Sequence, residues 1–573
     1  MCGIFAILNK NNIDENIINS FDKVKNRGPE YSHICVENNS IFGFHRLSIN
    51  GINEKSNQPF YIDNILLICN GEIYNFRELY YKLQIIPQTD SDCEIIIHMY
   101  KMFGIEYTLK CLDGVFSFIL YDMNINELYV ARDPYGVRPL YEFSDYNNCH
   151  YFSSNLKGLY DFYKNDCYKF KGNNIDIKDC YNINQFTVGS YSKYILFEKN
   201  QNFENIIKNK KYTSFPCNSL LIKDSTMLNQ LVTTYFCEAV KKRVLDTCER
   251  PIGCLLSGGL DSSLVAALVN MYYKGISKLK TFSIGLSGSE DLKYAKIVAK
   301  YLETDHHEIL VSENDFFEAI EEVIYTIESY DTTTVRASVG NYLIGKYIKE
   351  KTDCKVIFNG DGSDELAGGY LYFSNAPNDY EFDKECNRLL NDICFFDVLR
   401  SDRSISEHGL EPRTPFLDRG WVEFYLSIDK KIRNNKNFNK CEKYLIRNAF
   451  SNCYPDILPS EILWRTKEAF SDGVSSLQKS WYEIIQEKIL EKCKNDNNLH
   501  IELQKLLHNT SLNNKPTTLE QSYYRYLFNK YYEYADNTIP YFWMPKYSDT
   551  NDASARTLNN YKTNNTNTNT NTL

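Results

Sequence analysis

Two rhythms of apolar and polar positions divide the chain. Up to about residue 200 the apolar runs are short, rich in β-branched and aromatic residues, and closed by turn formers, as in "IFGFHRLSI" and "NILLICNGEIYN". "FSFILYD" and "ELYVARD", either side of "MNIN", read as a hairpin. This part predicts stacked antiparallel sheets. From about 157 to 215 the chain turns polar, with Gly, Asn and Lys clusters, and reads as the weak end of a first domain plus a linker near 200–215. After that the rhythm changes. "IGCLL" has the length of a buried parallel strand and is followed by a glycine turn and the helical run "SSLVAALVNMYYK". "LKTFSIGL", "HHEILVS" and "KVIFNG" are further strands. In "DLKYAKIVAKYLE", Leu292, Ala295, Val298, Ala299 and Leu302 recur at helical spacing and predict an amphipathic helix. Strands alternating with helices predict a doubly wound parallel sheet, with ligands at the carboxyl ends of its strands. The end of the chain, "NNYKTNNTNTNTNTL", is too polar to order itself. The expected domains are 2–200, 215–545 and a disordered tail, 546–573.

Composition narrows the function. The 573 residues carry a net charge of -10 without a long basic stretch, which argues against a nucleic-acid partner. Acidic substrates would be held by a few local Arg and Lys residues. No run approaches the roughly 18 apolar residues of a membrane span. The opening "MCGIFAIL" lacks the basic leader and cleavage site of a signal peptide. Eighteen Cys without such a signal read as reduced thiols of a cytoplasmic protein. His306 and Glu308 share a strand face but lack partner ligands, so they read as surface polar residues rather than a metal site.

Three stretches carry chemistry. Cys2 follows the initiator Met, whose removal would put a thiol and a free amine on one carbon. A thiol titrates near ~8.5 and an α-amine near ~7.7–8.0, so one residue can supply both nucleophile and base. "LLSGGLDSS" (255–263) lies between a strand and a helix, where glycines and free helix N–H groups suit phosphate. Asp261 beside such a cradle makes sense with a divalent metal between them. "FNGDGSDELAGGY" (358–370) follows another strand and adds Asp361, Asp364 and Glu365.

"MCGIFA", "RGP", "HRLSI", "NGEIYN", "SDCE" and "RDPYGVRPLY" resemble an N-terminal-nucleophile glutaminase domain, of αββα build. "SGGLDSS" resembles the pyrophosphate loop of the ATP pyrophosphatases. In one order with "SYDTTTVRAS", "GDGSDELAGGYLYF", "HGLEPRTPFLDR" and "RTKEAFSDGVSS", they resemble the glutamine-hydrolysing asparagine synthetases, from residue 2 to roughly 480. The resemblance implies that glutamine, aspartate and ATP are substrates, that Mg²⁺ is needed, and that β-aspartyl-AMP is the intermediate. A homodimer is compatible with it.

The same resemblance implies the site residues. Cys2 would attack the glutamine amide, with Asn70 and Gly71 as oxyanion donors. Arg46, Leu47, Ser48, Ile49, Asn50, Asn70, Gly71, Glu72 and Asp92 would surround glutamine, Arg46 on its carboxylate and Asp92 on its amine. Ser257, Gly258, Gly259, Asp261, Ser262 and Ser263 would cradle pyrophosphate. Leu255, Ile284, Asn359 and Gly360 would contact adenosine, although Leu255 and Ile284 also read as sheet core. Asp261 and Asp364 would reach the metal, Arg336 and Thr333 aspartate, and Lys467 the α-phosphate. Arg400 and Arg413 are weaker phosphate candidates, and Asn378 falls in a string tied to intermediate formation. Asp361 stands where the family pattern has Glu, the proposed base for ammonia. Asn155, Pro412 and Thr414 also depart from the pattern, and a proline-glycine turn is missing near 186–192. An enclosed, mainly apolar passage from Cys2 to Asp361 is expected. The rivals are a β-lactam synthetase-like or other amide-forming enzyme, a ribosyl-pyrophosphate amidotransferase, and a non-catalytic sensor of glutamine or nucleotide. Cys2 argues against the first, "SGGLDSS" against the second, and the intact Cys2, Asp261, Asp364 and Lys467 against the third.

Overall fold

The computed structural model describes residues 1–172, 182–197, 202–216, 220, 222, 224–245, 249–438, 440–466, 480–550 and 552–558. Its first part holds two six-stranded sheets, every pairing antiparallel. The strand Gly3–Leu8 lies inside one, beside Ser40–Arg46, and Ile65–Ile73 lies inside the other, beside Gly114–Asp122. Alternation along Gly3–Leu8 explains its uninterrupted apolar run. Ile4, Ala6 and Leu8 enter the core between the sheets with Phe42, Leu66, Ile68 and Ile119. Phe5 and Ile7 face the other way, against Ile17 and Phe21 of the helix Glu15–Asp22. A strand buried on both faces has no room for polar positions.

The second part contains a five-stranded sheet in which every pairing is parallel. Its order is Asp305–Leu310, Lys280–Gly285, Ile252–Leu255, Val356–Phe358, Glu411–Arg413. In chain order this reads 3-2-1-4-5, so the winding reverses between Ile252–Leu255 and Val356–Phe358. The crevice at such a reversal is where open parallel sheets bind ligands. "SGGLDSS" and "NGDGSDE" leave these two strands at that point. The predicted helix appears as Glu290–Tyr301, with Leu292, Ala295, Val298 and Ala299 buried. Pro412 sits in the edge strand Glu411–Arg413, a position that tolerates a missing N–H.

Two boundary expectations are corrected. The linker expected near 200–215 includes a strand, Asn202–Lys211, which pairs with Ser190–Phe197 at the sheet edge. The tail expected from 546 packs through its described residues: Leu558 is buried in a cluster with Tyr372, Phe373 and Trp543. His306 bonds Thr281 and Ser283 across the sheet, and Glu308 pairs with Lys296.

Buried ion pairs dock the two parts. Arg27 grips Asp402 with its two terminal guanidinium nitrogens, at 2.7 and 3.1 Å, and Glu328 accepts from the backbone of Leu156 and Lys157. Asp418 accepts from Arg243 at 2.6 Å and Lys242 at 2.5 Å, and Lys242 also pairs with Asp113 of the first part. Burial alone would raise Asp418, but Arg243 and Lys242 overcome it and hold the carboxyl at about 2. A depressed carboxylate contributes stability above its unfolded value of ~3.8 and loses it as pH falls toward the folded value. The melting temperature should therefore drop between about pH 4 and 2. Asp418→Asn should flatten that drop and cost about 3 kcal/mol at pH 7, because Arg243 stays buried with its charge unmatched. Thermal melts of both proteins from about pH 2 to 7 check both.

Candidate functional site

The first centre is built around Cys2. Its backbone nitrogen donates to Asn70 Oδ1 at 3.1 Å, and its Sγ lies 3.8 Å from Leu47 O. Asn70 is fully buried in Ile65–Ile73, and its Nδ2 has no hydrogen-bond partner among the described residues. A buried amide donor left unmatched costs about 1–3 kcal/mol and marks a place for an acceptor. Gly71 follows, where an added Cβ would come within 2.7 Å of Val115 O. Arg46 donates to the carbonyls of Asn50, Gly51 and Asn53 and to Asn57 Oδ1. Neutral acceptors aim its fork without cancelling its charge. Asp92 accepts from Ile73 N at 2.6 Å, and burial pushes it up to about 6. Asn50 Nδ2 donates to Glu72 Oε2 at 2.8 Å, and burial together with Asp92 raises Glu72 well above the usual range. The loop Leu47–Asn50 is pinned by the second part, where Arg250 Nε donates to Ser48 O and Glu249 N to Ile49 O.

Met1 is 1% exposed, with its amine 3.4 Å from Glu411 Oε2. While Met1 is attached, the Cys2 nitrogen is an amide and not a base. Burial raises the Cys2 thiol, and the terminal amine opposes it.

The second centre is a cavity at the sheet reversal. Leu255, Ser257, Gly259, Asp261, Ser262, Ile284, Thr333, Asn359, Gly360, Asp361 and Asp364 all line it. The two loops abut because residue 360 has no side chain: a Cβ there would meet Asp261 Cβ at 2.8 Å and Ser262 N at 2.9 Å. The helix Leu260–Tyr272 starts here, its N-terminus toward the cavity. Thr333 Oγ1 is buried without a hydrogen-bond partner among the described residues. Asp361 pairs with Arg400 at 2.8 Å, and Arg400 also holds Asp397 at 2.6 Å. Burial raises Asp361, and Arg400 works against it.

Other expected residues lie elsewhere. Gly258 is not in the lining but turns the loop with φ +71°, and Ser263 is fully buried behind it. Arg336 is buried outside the lining. It is held by Glu520 at 2.8 and 2.6 Å and by Asp552 at 2.8 and 2.7 Å. Asn378 is exposed, and its side chain caps the helix Asp379–Asp392 by accepting from Glu381 N. Arg413 lies at the domain junction, 3.4 Å from Glu72, and its carbonyl accepts from Asn359 N. Lys467 lies outside the described residues. Lys443, Asp397 and Arg465 line the cavity from distant segments and Tyr370 from the end of the 358–370 run, none of them marked in the sequence as a site residue.

Between the centres, Met1, Leu47, Tyr74, Val115 and Val137 share one apolar cluster with Val356 and Phe358 of the parallel sheet. Glu411, Arg138, Arg413 and Glu72 cross the same junction, so it is less apolar than the passage expected from sequence.

Comparison with known proteins gives the family. Residues 1–187 match a model described as a glutamine amidotransferase domain, and 232–385 with 374–526 match one described as asparagine synthase. The chain is similar to the glutamine-hydrolysing asparagine synthetases of Gallus gallus and Mus musculus, each at 39% identity. It is 38% identical to the Homo sapiens protein of the same description. Each alignment spans 98% of this chain and 99% of the relative. With both domains matched in this order, over nearly the whole length, the chain belongs to the glutamine-hydrolysing asparagine synthetases.

Proposed function

We propose that the family reaction is divided here between the Cys2 centre, which frees ammonia from glutamine, and the cavity at the sheet reversal, which activates aspartate. The observation that carries this reading is Asn70. One side-chain atom holds the Cys2 nitrogen while the other, a buried donor, has no partner among the described residues.

Met1 must leave first, and its burial favours removal before the chain folds. The freed amine then takes the thiol proton, and the thiolate attacks the glutamine side-chain amide. Asn70 Nδ2 and the Gly71 N–H receive the oxyanion. Ammonia departs with the returned proton, and water releases glutamate from the thioester. Arg46 binds the glutamine carboxylate, and Asp92 its amine.

In the second centre the phosphates of ATP lie along Ser257–Ser263, at the helix N-terminus. Leu255 and Ile284 flank the adenosine, with Asn359 and Gly360 opposite. Asp261 and Asp364 turn an oxygen each toward one point, where the Lys443 ammonium sits. That donor set fits Mg²⁺, which when bound neutralises phosphate charge and eases pyrophosphate departure. The aspartate side-chain carboxylate displaces pyrophosphate from the α-phosphate, giving β-aspartyl-AMP. Asp361 takes a proton as ammonia attacks, and AMP leaves. Lys467 retains its α-phosphate role by resemblance alone. Among the described residues fifteen cysteines are thiols outside any disulfide, which fits a reducing cytoplasm.

Equal yields of AMP, pyrophosphate, glutamate and asparagine from ATP, aspartate and glutamine test the scheme. Formation of ADP would sink it.

Arg336 is engaged by two carboxylates, so aspartate can reach it only if one withdraws. Glu520 belongs to the helix Leu519–Tyr532, whereas Asp552 lies near the chain's end. Asp552 is therefore the one that yields. Asp552→Asn should lower the KM for aspartate about fivefold with little change in kcat, as expected when an internal competitor is removed. Initial rates at varied aspartate check this.

A further inference from the structure

Lys443 lies in "CEKYLIR", a run without a motif, yet it is 2% exposed and lines the nucleotide cavity. Its Nζ lies 2.6 Å from Asp261 Oδ2 and 2.6 Å from Asp364 Oδ1. Ser363 Oγ donates to the other Asp261 oxygen at 2.8 Å. The fold makes room for this side chain, because a Cβ on Gly369 would meet Lys443 Cε at 2.0 Å. The lysine backbone is left-handed, with φ 56°, just ahead of the helix Tyr444–Cys453. That conformation is uncommon outside glycine and persists where the surroundings impose it.

One ammonium between two carboxylates is more than an ordinary ion pair. These are the same carboxylates that the proposed function gives to the metal, and the inference rests on that reading. An ammonium and a dication cannot share one buried point, because their repulsion there is strong. We propose that Lys443 is a built-in counter-cation. It keeps Asp261 and Asp364 paired while the cavity lacks nucleotide, and it releases them when phosphate oxygens arrive to accept the ammonium. Dication and nucleotide then enter together, and neither carboxylate is left uncompensated in the buried site. Lys443 is thus a positioning residue for the metal-binding pair.

The experiment is a titration of the full chain with Mn²⁺ alone, reading free Mn²⁺ by electron paramagnetic resonance. The parent should bind weakly without nucleotide. Lys443→Met should bind at least about tenfold more tightly, since two carboxylates then face one another without a cation. Lys443→Arg keeps the charge and should resemble the parent. A gain of binding is not what a merely damaged fold produces. Equal Mn²⁺ affinity in parent and Lys443→Met overturns the proposal. Should that variant fail to fold, the parent decides alone, because nucleotide-free Mn²⁺ binding as tight as binding with ATP also overturns it. Asp364→Asn separates the two levels. If it leaves Mn²⁺·ATP affinity unchanged, the metal assignment itself is at fault. If it weakens that affinity while Lys443→Met stays parent-like, only the counter-cation role fails.

Discussion

Cys2→Ala should abolish glutamine-driven asparagine synthesis, by more than about a thousandfold, while synthesis from added ammonia continues. The two halves of this result come from different parts of the fold. Cys2 supplies both the attacking sulfur and, after Met1 is removed, the base, so its loss removes both at once. Asn70 and Arg46 keep their own partners and can still bind glutamine. The second cavity is lined by residues of the second part of the chain and does not include Cys2. Glutamate release, measured beside asparagine formation from ammonium chloride, checks both halves. A parallel loss of both activities would mean that the centres are not separate. The same assay tests processing. Chain that retains Met1 has an amide at Cys2 and should behave like the Ala variant, which mass spectrometry of active and inactive fractions resolves.

Much of this was legible because the chemistry sits in continuous strings at strand ends. "SGGLDSS" and "NGDGSDE" each pair a buried strand with the turn that follows it, and the parallel order brings the two turns together. The Cys2 centre was readable for the same reason, since Arg46, Asn70 and Asp92 lie in short marked runs. What was not legible depends on long-range packing. Lys443 reaches Asp261 across 182 positions, and nothing near it in the sequence distinguishes it from a solvated lysine. Arg336 carries the expected string, but its partners come from a late helix and from residue 552, in a tail whose composition reads as disordered. The strand Asn202–Lys211 read as a linker because it is an edge strand. Phe203 is buried while most of the remaining side chains face water, and lysines on such an edge discourage further pairing.

Asp361→Asn should leave pyrophosphate release from ATP and aspartate largely intact and slow asparagine formation about 10²- to 10⁴-fold, the range expected when a general base is lost. Asp361 lies in the cavity lining between the phosphate loop and Arg400, so it can meet the nucleophile that attacks the activated carbonyl. Burial raises its carboxyl and Arg400 restrains the rise. A raised base is protonated sooner as pH falls, so the acid limb of the ammonia-driven rate, taken per unprotonated ammonia, should lie above the ordinary carboxylate range. Arg400 keeps Asp397 when Asp361 is neutralised, which limits the structural damage. Asp361→Glu adds one methylene toward the length of the family pattern. If the shorter side chain holds its oxygen too far from the nucleophile, the Glu variant should speed asparagine formation without altering pyrophosphate release. If Asp361 instead serves adenylation, Asp361→Asn will stop pyrophosphate release and asparagine formation together. Quench-flow measurement of both products over the first turnover separates these cases, because the two steps have different products and only the second consumes ammonia.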